Sequence, residues 1–361
     1  MANKLTTNEK IELIKEFAQE IVSEEELRKL FESGKKITAY DGFEPSGIAP
    51  IHFGLLRATN LKNILKAGIH FKLYLADYFG LINNKLGGDL KNIQLAGKYF
   101  IEVWKASGIE MDKVEIVWAS EIMDDINYWD KVLRIATETS FNRTKKSLTI
   151  AGRSSTEEIS TAQLFYPSMQ VADIFHMNID ICQLGMDQRR ANMLARDVAE
   201  KLKWKKPVAI HHHILLGLQG IQEKGDAEET MMASKMSKSN PKSAIYMHDT
   251  LSELREKMKG AYCPEGIILG NPILEYFKHI IFKNAESVTI KRPEKFGGDK
   301  TYKSYLQMED DYIAKKLHPM DLKETCALEL DKLIKPVREH FEKNKEAKKL
   351  YESVKAMKIT R

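Results

Sequence analysis

Lys235, Ser237 and Lys238 stand close together in ASKMSKSNPKSA, residues 233–244. Two ammonium groups and a hydroxyl at that spacing have the chemistry of an anion clamp, a set of donors that closes over phosphate oxygens. Asn240 and Pro241 oppose a helix, so the cluster belongs on a loop. Alone, such a cluster is more often a solvated face, and its meaning rests on what else the chain carries.

Three further stretches hold polar groups in patterns that suit a ligand. In LFYPSMQVADIFHM, 164–177, Tyr166, Gln170 and Asp173 recur at i, i+4 and i+7 in one helical row. Phe165, Met169, Ala172 and His176 flank the row, with Val171 and Ile174 on another face. The helix is therefore apolar nearly all round and expected to be buried, with Pro167 at its start. A buried carboxylate costs on the order of several kcal/mol unless it is hydrogen-bonded, which favours a polar ligand over a water-facing row. In QLGMDQRR, 183–190, after the strand IDIC, Gly185 allows a tight turn or close backbone approach. Asp187 opens the next helix, either as a plain cap or as an acceptor for sugar hydroxyls. In YDGFEPSGIAPIHFG, 40–54, a glycine- and proline-rich loop delivers His52 and Gly54 to a helix start, where anions are favoured.

The elements that must position these groups alternate along the chain. Ser23 before EEEL reads as a helix cap with acidic residues in the first turn, and Gly34 as a stop. KITAY at 36–40, HFKLYLAD at 70–77 and KVEIVWAS at 113–120 read as strands, with helices over about 52–67 and 88–108. The alternation lasts to about residue 210. It predicts an α/β, doubly wound parallel sheet with ligands at the carboxyl ends of the strands. LQGIQEKGDAEETMMAS, 218–234, reads as a mobile loop leading into the cationic cluster, and the pattern after Pro264 is mostly helical. The expected division is N-terminal helices 1–34, a Rossmann-like domain 35–232, a loop and linker 233–262 and a helical domain 263–361.

Composition narrows the classes. Of 361 residues, 43% are hydrophobic and 30% charged, which excludes a disordered chain. MANKLTTNEK has no apolar leader and no apolar run reaches membrane-spanning length, so a cytoplasmic location is expected. Cys182, Cys263 and Cys326 are scattered and odd in number, as reduced thiols are. His211, His212 and His213 lie in the apolar stretch VAIHHHILLGL, where successive side chains alternate between faces, so a metal site there is not expected. Residues 331–361 hold ten Lys/Arg against five Asp/Glu, matching the formal +5 of the whole chain. That tail suits either a polyanion partner or a solvated helix.

With these residues set out, the chain resembles the class I aminoacyl-tRNA synthetases. KMSKS at 235–239 matches their second signature and HFG at 52–54 is similar to the first, HIGH. GFEPSG, YPSMQVADIF, GMDQR, AYCPEG, KRPEKFGGD and LHPMDLK, in that order over roughly residues 35–340, resemble the archaeal and eukaryotic type of tyrosyl-tRNA synthetase. Two features depart from that pattern: four residues separate Gly47 from His52, and Leu55 stands where HIGH ends in histidine. The resemblance implies a Rossmann-like catalytic domain followed by an α-helical anticodon-binding domain. It implies that L-tyrosine and ATP with Mg2+ form tyrosyl-adenylate, that tRNA-Tyr takes the acyl group, and that no cofactor or metal is tightly held.

Carried over by position, the resemblance gives His52, Lys235, Ser237 and Lys238 the catalytic charge. It gives Tyr40, Ala76, Tyr166, Gln170, Asp173 and Gln188 the tyrosine, and Gly42, Gly54, Gly185, Asp187 and Met236 the ATP. Arg189 and Arg190 would meet the acceptor stem, and Phe296, His318 and Asp321 the first anticodon base. A homodimer with its interface near residues 100–150 is implied as well. The rivals are a tryptophanyl-tRNA synthetase, which a Tyr40–Asp173 pair suits less well, and a catalytically retired relative that only binds RNA.

Overall fold

The computed structural model describes residues 5–148, 159–225, 227–236 and 241–358. Six strands form one sheet: β1 (Ala18–Val22), β2 (Thr38–Phe43), β3 (His70–Leu75), β4 (Val114–Trp118), β5 (Ile181–Gly185) and β6 (Val208–His212). Their spatial order is β1-β6-β5-β2-β3-β4. The five strands β2 to β6 run parallel, and β1 lies antiparallel on β6. β5 and β6 are buried along their whole length, as inner strands covered by helices on both faces must be. From β2 the chain winds outward through β3 and β4, then returns to the other side of β2 as β5 and β6. The strand order reverses between β2 and β5, and their carboxyl ends open a crevice there.

Three expectations need correction. The N-terminal segment is not helices alone, because AQEIV forms β1 between the helices Thr7–Lys15 and Glu24–Glu32. Its Glu20 gives no apolar signal because it faces Arg189 and His211 rather than the core. Pro167 does not start its helix: the helix runs Thr161–His176, is capped by Ser160 and carries Pro167 inside. Ser160 and Gln163 form a reciprocal capping box, so the earlier turn is fixed before the proline is reached. The stretch read as a mobile loop contains the helix Ala227–Ser234. The anchors Gly217 N–H to Ser234 O, 2.7 Å, and Gln222 N–H to Ser234 Oγ, 2.8 Å, tie that helix to the loop before it.

One face of the sheet packs around Trp104 of the helix Leu90–Ala106. Its indole lies against Phe43, Phe53 and Phe71 and donates to Phe53 O at 3.1 Å. The other face packs on the helices Ile126–Thr137 and Thr161–His176. The C-terminal part is helical, as expected, but also carries a hairpin of β7 (Val288–Ile290) and β8 (Lys300–Tyr302). Its last helix, Lys345–Ala356, turns back onto Leu90–Ala106. There Tyr351 stacks on His248 at 3.8 Å, and His248 stacks on Tyr99 at 5.7 Å.

Candidate active site

The polar row of Thr161–His176 faces the crevice. At its inner end Asp173, 1% exposed, receives hydrogen bonds on Oδ1 from Tyr74 Oη at 2.9 Å and Tyr128 Oη at 3.0 Å. Burial pushes the Asp173 carboxyl up, and the two hydroxyls pull it back. Tyr40, from β2, brings a buried hydroxyl with no partner among the described residues. One turn and two turns back along the helix come Gln170 and Tyr166. Gln170 Nε2 donates to Gln188 Oε1 at 3.0 Å, while its own Oε1 is buried without a partner among the described residues. Tyr166 Oη donates to Glu44 Oε1 at 2.5 Å, and Asn83 Nδ2 donates to the same oxygen at 2.7 Å.

Ala76, Gly42 and His52 line the same crevice, together with Lys235 and Asp187. Lys235 Nζ lies 3.3 Å from Asp187 Oδ2. Burial raises the Asp187 carboxyl, but Lys235 and then Arg57 outweigh it and hold the group below the usual carboxylate range. Ser237 and Lys238 lie outside the described residues.

Three residues expected at ATP stand outside this lining. A Cβ on Gly54 would come within 2.3 Å of Met247 Sδ, so that glycine makes room for a core side chain. A Cβ on Gly185 would meet Ile214 Cδ1 at 2.4 Å and Asp187 Oδ1 at 2.6 Å. Met236 is 8% exposed and packs in the core cluster.

The loop ahead of His52 is pinned from three sides. Gly47 takes φ 111°, a conformation that favours glycine. Ala49 N–H donates to Tyr99 Oη at 3.2 Å. Ile51 N–H donates to Ile245 O at 2.8 Å and Met247 N–H to Ala49 O at 2.9 Å, a short antiparallel bridge between the two signature regions. His52–Arg57 then forms a π-helical turn that continues as the α-helix Ala58–Lys66.

The residues expected at RNA are spread along the molecule. Arg189 begins the helix Arg189–Leu202 and pairs with Glu20 at 2.8 Å; Arg190 Nη1 donates to Lys146 O at 2.6 Å. Phe296 is 62% exposed, and Gly297 and Gly298 turn the chain with φ 95° and 67°. Arg292 donates to Gly298 O and to Lys316 O, both at 2.9 Å, and so ties the Phe296 turn to the segment before His318. His318 Nδ1 accepts from Met320 N–H at 3.2 Å and caps the helix Pro319–Lys343, whose first turn holds Asp321.

The histidine run spreads as its strand requires. His211 meets Glu20 at 2.7 Å and Asn192 at 2.9 Å, His212 meets Gln183 at 2.7 Å, and His213 stacks on His279 at 4.3 Å. Among the described residues no group of three His, Cys, Asp or Glu is placed to hold a metal ion.

Sequence reasoning passed over Glu44, Tyr74 and Tyr128. Glu44 had a signal, an acid just past a strand in a glycine-rich turn. Tyr74 and Tyr128 had none, since each reads as an apolar position of its strand or helix.

A parallel sheet with its crevice at the reversal of strand order, lined by His52 of HFG and by Lys235, defines a class I aminoacyl-tRNA synthetase catalytic domain. Residues 32–335 match the family described as tRNA synthetases class I (W and Y), and the chain belongs to that family. It is 44% identical over 352 residues to tyrosine–tRNA ligase 1, cytoplasmic, of Arabidopsis thaliana, covering 97% of this chain and 89% of that one. It is 45% identical over 355 residues to the tyrosine–tRNA ligase of Sulfurisphaera tokodaii, covering 97% of each. The crystal structure of tyrosyl-tRNA synthetase complexed with L-tyrosine from Pyrococcus horikoshii superposes with a TM-score of 0.89 at 40% identity, over 97% of this chain and 100% of that one.

Proposed function

We infer that this chain is a tyrosine–tRNA ligase. The observation that carries its choice of amino acid is a pair of unpartnered buried atoms in one crevice, Tyr40 Oη and Gln170 Oε1. A buried polar atom without a partner costs about 1–3 kcal/mol. Free tyrosine relieves both: its phenol bridges Tyr40 and Asp173, and its ammonium group meets Gln170, Tyr166 and the Glu44 carboxylate. Gln188 and Ala76 complete that pocket.

In the first step a tyrosine carboxylate oxygen bonds to the α-phosphorus of ATP. The bond from that phosphorus to the β-phosphate bridging oxygen breaks, and pyrophosphate leaves with the electron pair. In the second, a hydroxyl oxygen of the terminal adenosine of tRNA bonds to the acyl carbon, the bond from that carbon to the phosphate oxygen breaks, and AMP leaves with the electron pair while the hydroxyl proton passes to the departing phosphate or to solvent. No protein nucleophile is required, so positioning and charge carry the catalysis. His52 and Lys235 meet the triphosphate, and Ser237 and Lys238 extend that clamp as charge moves onto pyrophosphate. Mg2+ enters with ATP as part of the substrate. Gly42 and Asp187 lie against the nucleoside.

Arg189 and Arg190 meet the acceptor stem, and Phe296, His318 and Asp321 take the first anticodon base. The exposed Ile126, Leu133 and Phe141, at 78%, 60% and 64%, support a homodimer through the 100–150 region. No helix among the described residues is long and apolar enough to cross a membrane. The assignment of the protein to the cytoplasm is supported by its Arabidopsis relative, whose name places it there. ATP–pyrophosphate exchange with each aromatic amino acid, followed by charging of tRNA-Tyr, tests the assignment. Exchange driven by tryptophan rather than tyrosine, or no exchange at all, would overturn it.

A further inference from the structure

The π-helical turn His52–Arg57 changes which side chain follows His52 around the helix. Its backbone closes by i→i+5 rather than i→i+4 bonds, so Arg57, not Leu55, falls in line with His52. Leu55 and Leu56 are then turned into the core, 8% and 5% exposed. Arg57 reaches the crevice and lines it. Its Nη1 bonds both oxygens of Asp41, at 3.0 and 3.1 Å, and its guanidinium lies 4.4 Å over the Phe43 ring. The side chain is 12% exposed and that of Asp41 1%, so the carboxylate fixes the fork from behind while part of it stays open to the crevice. Arg57 also sits close enough to Asp187 and His212 for its charge to act on both.

We propose that Arg57 binds ATP directly, at the ribose and α-phosphate end of the nucleotide. The inference rests on the ATP-consuming function proposed above and adds a residue to it. Two carboxylates, Asp187 and Glu44, line the crevice that the nucleotide's phosphates must enter. Lys235, from the signature loop, offsets them at one point. Arg57, anchored from the sheet side by Asp41, offsets them at another, next to the acid that faces the sugar. A planar guanidinium held by one carboxylate is preorganised for a second anion.

The test uses the full-length protein and the variants Arg57→Gln, Arg57→Lys and Asp41→Asn/Arg57→Gln, the last leaving no buried charge unpaired. The expected result is an ATP KM in tyrosine-dependent exchange raised about tenfold or more by Arg57→Gln, with AMP inhibition weakened by a similar factor. Tyrosine binding at equilibrium should stay within about twofold, Arg57→Lys should fall between, and the folded double variant should match Arg57→Gln toward ATP. An unchanged ATP KM in the double variant overturns the proposal, as does an equal loss of tyrosine affinity. Calorimetric titration with ATP needs no turnover. Parental ATP affinity in Arg57→Gln therefore refutes the Arg57 contact even if exchange is absent, whereas absent exchange in the parent refutes the proposed function alone.

Discussion

The hydroxyl of Tyr74 lies 2.9 Å from Oδ1 of Asp173 and donates to it. Tyr128 donates to that same oxygen, so both protein hydroxyls leave Oδ2 to another donor. A site built to bond a hydroxyl rejects the analogue that lacks it, because its own polar groups are then left unpaired. Asp173→Asn should lower the preference for tyrosine over phenylalanine in exchange kinetics by about ten- to a hundredfold, the worth of one charged hydrogen bond. Selectivity equal to that of the parent would remove Asp173 from the phenol site. Tyr74→Phe should have a smaller effect in the same direction.

Lys235 has a different signature. On the proposed assignment its ammonium group meets charge that grows as pyrophosphate departs, and so acts on the transition state more than on bound tyrosine. Lys235→Ala should slow adenylate formation by about ten- to a hundredfold and leave tyrosine affinity nearly intact. Pre-steady-state kinetics with a separate tyrosine titration tells the two apart. A parallel loss of both would mean that Lys235 only holds Asp187 in place.

Acid should weaken the packing of the C-terminal helices. Burial, with Arg338 and Lys355 nearby, pushes His248 down to about 3, and burial with His213 beside it pushes His279 down to about 3. An unfolded histidine titrates near about 6.5. Between those limits the unfolded chain binds protons that the folded chain refuses, so stability falls as pH drops from about 6.5 toward 3. The contribution of these histidines to the melting temperature should decline between pH 7 and pH 5, against an opposite contribution from Asp41, whose carboxyl burial pushes up to about 7. His248→Phe, which keeps the stack on Tyr351, should show a smaller decline, and an identical decline would contradict this account.

Phe296 offers an exposed aromatic face on a turn that Arg292 ties to the His318 segment. Stacking on one base is worth about 1–3 kcal/mol. Phe296→Ala should reduce tRNA charging by about ten- to a hundredfold and leave ATP–pyrophosphate exchange unchanged, since exchange involves no tRNA. Equal charging of tRNA-Tyr and of first-anticodon-base variants by the parent enzyme would set aside the whole recognition model.

The sheet and the polar row of Tyr166, Gln170 and Asp173 were legible because each rests on a periodicity, two for strands and 3.6 for helices. β1 was not, because an edge strand carrying Glu20 owes its place to partners on β6 and at Arg189, far along the chain. Gly54 was placed at ATP by resemblance, yet its lack of a side chain serves Met247, a residue that sequence spacing cannot bring near. Tyr74 and Tyr128 looked like core, and their rings are core. Only their hydroxyls, converging on Asp173, belong to the site.

The bridge that joins Ala49 and Ile51 to Met247 and Ile245 also sets a schedule for synthesis. The loop ahead of His52 leaves the ribosome early, but the backbone groups that hold it are made almost two hundred residues later. Until then Ala49 and Ile51 have no strand to pair with, however complete the sheet around them. A nascent chain arrested short of Met247 would carry a finished pocket for the amino acid and an unfinished one for the nucleotide. The order of translation would thus supply the ability to hold tyrosine before the ability to activate it.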